Sequence, residues 1–182
     1  APKGMENVVR NLTADSSVFR EANLEPIAEV SKLCLEFDQI VGAQTVQWRG
    51  EEKTLPQMSL LLRESDRDLR EEAWRATSDR QMQDRQSLND LWQKLLELRV
   101  RIAKQADHTD YRSYSWVRMH RFDYTPEDCL SFHRAIEEVV VPAAVRSYER
   151  RKARLGLDSL RPWDFDVDPL GRDPLKPFET SE

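Results

Sequence analysis

The sequence predicts an all-α protein, an antiparallel helical bundle or array with at most one small β-hairpin near residues 45–55. Three observations predict it. Apolar residues recur at spacings of three and four through several long segments, the mark of one buried helix face. Charged residues make up 34% of the 182 residues and glycines number only 5, a balance that favours solvent-washed helices over a turn-rich β fold. A single short stretch alternates with period two.

Along the chain, residues 1–22 are polar with scattered apolar positions and form a weakly helical N-terminal segment. Ile27, Val30, Cys34, Phe37 and Val41 then mark one helix face, with Asn23 as cap, Pro26 in the first turn and Gly42 as stop. Thr45-Val46-Gln47-Trp48 alternates, Arg49-Gly50-Glu51-Glu52 reads as a turn, and Lys53-Thr54-Leu55 returns as a strand. Such a hairpin must lean on helices to be stable. Thr54-Leu55-Pro56-Gln57 is a capping box that opens a short helix through Leu62. Ser65-Asp66-Arg67-Asp68 is a second helix start, followed by the face Leu69, Ala73, Ala76. Residues 78–87 are so polar that the helix there is exposed or broken.

The strongest helix carries Leu88, Leu91, Leu95, Leu98 and Ile102, widened by Trp92, Leu96, Ala103 and Ala106 into an arc that needs more than one neighbour. Each leucine buried there contributes about 1.5–3 kcal/mol, so this helix anchors the core. Thr125 and Pro126 start the next helix, whose face is Cys129, Phe132, Ile136, Val139 and Ala143. Pro142 predicts a kink at Val141, and Gly156 a stop after Leu155. The helical domain therefore spans residues 23–156. Residues 157–182, punctuated by Pro162, Pro169, Pro174 and Pro177, read as an extended segment leading towards a further domain. Residues 179–182 look like the first turn of another helix. With an opening of Ala1-Pro2-Lys3-Gly4, a chain truncated at both ends is expected.

Net charge is −5, the wrong sign for a nucleic-acid binder that must neutralise phosphates. Apolar runs such as residues 139–141 are far too short for a bilayer. The two cysteines, Cys34 and Cys129, lie on apolar helix stripes and read as buried reduced thiols of a cytoplasmic protein.

Catalytic chemistry is hard to find. The histidines are His108, His120 and His133, and none opens the HExxH that places two zinc ligands one helical turn apart. Cys129 and His133 share a helix face, but two ligands make no site. Asp164, Asp166 and Asp168 alternate as in a calcium loop, yet Pro169 and Leu175 stand where that loop needs its glycine and its bidentate acid, so solvated carboxylates are expected. Neither a nucleophile elbow nor a phosphate-cradling glycine loop is present. No catalytic residue, metal ligand or cofactor is assigned within the chain. The aromatic and basic stretch 111–124 is the candidate for binding. Arg118, His120 and Arg121 could hold a peptide carboxylate or backbone, with Tyr111 and Tyr114 as contact area. The competing reading packs those rings in the core and pairs the arginines with acids.

Read in order, several phrases resemble the oligoendopeptidase F branch of the thimet-oligopeptidase-like zinc endopeptidases. They are GAQTVQWRGEEKTLPQM (42–58), SDRDLREEAWRA (65–76), LLELRVRIAKQADHTDYRSYSW (95–116), RFDYTPEDC (121–129), VVVPAA (139–144) and LRPWDFDVDP (160–169). The resemblance implies a helical shell around a deep channel in which zinc, held by an HExxH helix and a downstream Glu, activates water to cleave short peptides. That motif lies beyond this segment in the family, so no catalytic or ligand position carries over. The resemblance implies a non-catalytic, channel-forming portion that works with the rest of its own catalytic domain, where the zinc would sit. The alternative is a free-standing helical scaffold or adaptor that binds a protein partner.

Overall fold

The computed structural model describes residues 3–172 and is all-α apart from one two-stranded hairpin. The helices are α1 (Glu6–Val18), α2 (Leu24–Gly42), α3 (Leu55–Leu60), α4 (Arg67–Gln83), α5 (Arg85–Gln105), α6 (Tyr111–Arg118), α7 (Pro126–Ala135) and α8 (Val141–Leu155). The hairpin is β1 (Thr45–Trp48) and β2 (Glu51–Thr54). The chain divides into two compact units, residues 1–40 with 86–133 and residues 41–85 with 134–182.

In the first unit, one cluster gathers Val18, Ile102, Ala103, Ala106 and Tyr114, flanked by Ile27 and Val30. A second joins Leu33 of α2 to Leu91 and Leu95 of α5. The leucine face of α5 thus anchors the core as its spacing predicts. Its wider arc does not close, because Trp92 and Leu96 are exposed. On α2 the inward residues are Ile27, Val30, Leu33 and Cys34, while Phe37 and Val41 face outward. Asn23 is not the expected cap. It sits in a short 3-10 turn, Glu21–Asn23, is buried, and donates Nδ2 to the Ile102 carbonyl at 3.0 Å. A side chain spent on a carbonyl 79 residues away cannot serve the first turn of α2.

In the second unit, Thr45↔Thr54 through Trp48↔Glu51 pair antiparallel, and Val46 and Trp48 bury against Met58 and Ala73. The turn is Arg49-Gly50 alone, shorter than the four residues expected. Both have positive φ, 52° and 88°, the geometry that matches strand twist in a two-residue hairpin. The capping box is formed: Gln57 N–H donates to Thr54 Oγ1 at 3.4 Å, and Thr54 N–H donates to Gln57 Oε1 at 2.8 Å. The second start is capped by Asp66, whose Oδ1 accepts from the amides of Asp68 and Leu69. The polar stretch 78–87 does contain a break. At Asp84 the helix stops, and the carboxylate accepts from Gln44 Nε2 at 2.8 Å and Arg80 Nη1 at 2.6 Å.

Pro142 deforms its helix one turn early. Ile136–Val140 form a π turn, and α8 restarts at Val141 with the proline in its first turn, where a missing N–H is harmless. Gly156 ends α8 in the left-handed region at φ 65°.

Candidate functional site

The aromatic and basic stretch begins with α6, capped by Asp110, whose Oδ1 accepts from Ser113 N–H at 2.7 Å. Tyr114 points into the first core cluster and is 2% exposed, with Tyr111 at 5.7 Å and His108 edge-on at 5.8 Å. Burial pushes the Tyr114 hydroxyl above its ordinary range. His120 has φ 53°, which turns the chain back so that its Nε2 meets Asp15 Oδ1 at 2.8 Å while its ring stacks on Phe122. Arg121 lies over Trp116 at 5.0 Å, and Trp116 meets Tyr124 edge-on at 5.2 Å. Arg10 covers the other aromatic, Phe122, at 4.4 Å and pairs with Asp123 at 3.2 Å. Four of the five candidates, Tyr111, Tyr114, His120 and Arg121, are thereby committed to internal contacts. Tyr111 is half-buried and Arg118 is exposed.

A different set of residues is organised more tightly. The acid-rich segment after Gly156 was expected to be solvated, but Asp164 is 0% exposed, at the end of the 3-10 turn Pro162–Asp164. Its carboxylate accepts Arg67 Nε at 3.0 Å and Nη2 at 2.9 Å, Arg70 Nη2 at 3.2 Å and the Arg161 amide at 2.9 Å. Arg70, also buried, donates further to the carbonyls of Trp163, Glu64 and Ser65. Arg151 donates to the carbonyls of Asp164, Phe165 and Val167. Burial raises the Asp164 carboxyl, but hydrogen bonds from Arg67, the Arg161 amide and Arg70 outweigh it and leave its pKa lowered. Trp163 packs against Trp74 at 5.4 Å, and the guanidiniums of Arg67 and Arg75 lie 6.0 Å and 5.2 Å from its ring centroid. Above this network lies a cleft of about 530 Å³, lined by the Arg67, Glu71, Arg75 face of α4 and by the loop from Gly156 to Trp163.

The family model of peptidase family M3 matches residues 60–178. The chain belongs to peptidase family M3. Solved structures share the fold of this M3 chain. A protein described as oligoendopeptidase F from Bacillus anthracis str. Ames is 21% identical with a TM-score of 0.85, over 90% of this chain and 30% of that one. PZ peptidase A with an inhibitor is 24% identical with a TM-score of 0.85, over 87% and 28%. A second structure described as oligoendopeptidase F is 21% identical with a TM-score of 0.86, over 89% and 29%. The M3 chain therefore spans under a third of the length of these proteins. No curated protein matches the sequence.

The zinc associated with M3 peptidases does not fit the donors in this part of the chain. Among the described residues no three His, Cys, Asp or Glu side chains converge as a cage. His108 Nδ1 lies 3.3 Å from Ser113 Oγ, His120 is held by Asp15, and His133 is exposed on α7. Both cysteines are free and half-buried. Among the described residues no helix is long and apolar enough to cross a membrane.

Proposed function

We propose that this M3 chain is the non-catalytic, channel-forming portion of a zinc-dependent oligopeptidase that hydrolyses short peptides in the cytoplasm. The observation that carries the reading is the family match over residues 60–178. The shared helical architecture supports it, since it aligns with under a third of each larger structure. In this reading the chain supplies wall and orientation, while zinc and its activated water belong to the remainder of the parent protein. Arg118 and the half-buried Tyr111 contact the peptide, and Tyr114, His120 and Arg121 hold them in place from within the fold.

The isolated chain should cleave no quenched fluorogenic peptide and should retain no stoichiometric zinc after dialysis. Turnover accompanied by one tightly bound zinc would refute the assignment. In the full-length parent, Arg118→Gln should raise KM for short peptides about tenfold and leave kcat unchanged, as expected for loss of one charge-assisted contact. An unaltered KM would remove Arg118 from the channel.

A further inference from the structure

We propose that the cleft above the Asp164 network is an oxyanion site that takes the carboxylate or phosphate group of a small ligand. Its walls present donors in excess. Arg67 uses Nε and Nη2 on Asp164, and Nη1 makes no hydrogen bond among the described residues. Arg75 uses Nε and Nη2 on Glu71 Oε1, and its Nη1 also makes none among the described residues. Arg161 is exposed and lines the loop side of the cleft. Trp163, 6% exposed, lines the same cleft, and its buried indole N–H has no acceptor among the described residues.

The lining charges favour an anion. Arg67, Arg75 and Arg161 face two acids, Glu71 and Asp158, and Glu71 is already engaged by Arg75. Beneath them, Asp164 is shared between Arg67 and Arg70 and so does not reverse the balance. A cation would meet guanidiniums on two sides of the cleft. A carboxylate or phosphate offers acceptors only, and arginine's planar fork suits both. The volume, about 530 Å³, lies in the range of small-ligand clefts. Arg67, Arg70 and Asp164 also fix the cleft in advance, because the α4 face and the loop are tied together before any ligand arrives. This site requires nothing of the channel reading and would stand without it.

The test titrates the full 182-residue chain with inorganic phosphate, with a tripeptide bearing a free C-terminal carboxylate, and with the same tripeptide as its amide. The readouts are tryptophan fluorescence and the indole N–H resonances. Saturable binding of phosphate, of the free carboxylate or of both, with none of the amide, is expected, and the pattern identifies which source the site prefers. Arg161→Gln should weaken that binding at least about tenfold, as for loss of a charged donor. Its side chain is exposed, so circular dichroism should be unchanged. Arg75→Gln should weaken it as well. Equal binding of the amide, or no saturable binding, would overturn the proposal. So would phosphate binding that both variants leave intact, which would mark an adventitious ion only.

Discussion

Replacing Asp164 by alanine removes the acceptor of four N–H groups in one step: two from Arg67, one from Arg70 and the Arg161 amide. The two arginines do not suffer equally. Arg67 is 38% exposed and can turn towards water, so its share of the loss is small. Arg70 is 3% exposed and, among the described residues, keeps only backbone carbonyls as partners, which leaves a buried charge without a counter-ion there. Breaking such a pair costs about 3–5 kcal/mol. Urea unfolding followed by tryptophan fluorescence is the assay, with Trp74 and Trp163 reporting on the affected unit. Asp164→Asn should cost less, about 2–3 kcal/mol, since one oxygen still accepts while the new amide faces a guanidinium. A loss below about 1 kcal/mol for Asp164→Ala would refute the claim that this carboxylate holds the unit together. The pH dependence has a definite sign. Asp164 titrates below its unfolded value in the folded chain, so its contribution is complete above about pH 4 and is lost as pH falls through the folded pKa. The difference between wild-type and Asp164→Asn stability should therefore shrink on acidification and be constant above that range.

Three further substitutions test other parts of the fold. Ile102→Ala, at a position 2% exposed between Val18 and Tyr114, should cost about 2–5 kcal/mol in denaturant unfolding, the range for a core cavity. Gly156→Ala places a Cβ on left-handed backbone at φ 65°; nothing crowds the new atom, so the conformational cost alone applies, about 1–2 kcal/mol, visible as a lowered Tm. Thr54→Ala removes one half of the capping box and should cost about 1 kcal/mol, with Thr54→Ser restoring most of it.

Local signals in the sequence translated well. The Thr54–Gln57 box, the alternation from Thr45 to Trp48 and the terminating Gly156 each depend on residues a few positions apart, and each appears in the structure. Periodicity was informative about helix existence but not about what covers a face. Phe37 and Val41 on α2, and Phe132 and Val139 beyond them, keep helical spacing and yet are exposed. Asp164 shows the other difficulty. Beside Asp166 and Asp168 it looks like one of three equivalent surface acids, and its partners Arg67 and Arg70 lie 97 and 94 residues upstream. Nothing local separates a buried acid from an exposed one when the counter-ion is that remote. The aromatic and basic stretch posed the same problem, because Asp15, which holds His120, is 105 residues away.

The Arg70–Asp164 pair also sets an order of assembly. The second unit starts at residue 41, yet the carboxylate that balances its buried guanidinium leaves the ribosome only after 94 more residues have followed Arg70. Until then α4 carries a cation that lacks its buried carboxylate partner. Closing a loop of that length costs only slightly more than closing one half as long, about 0.6 kcal/mol per doubling. The delay is therefore one of synthesis and not of thermodynamics, and a nascent polypeptide halted before Asp164 should remain open to proteases around Arg70.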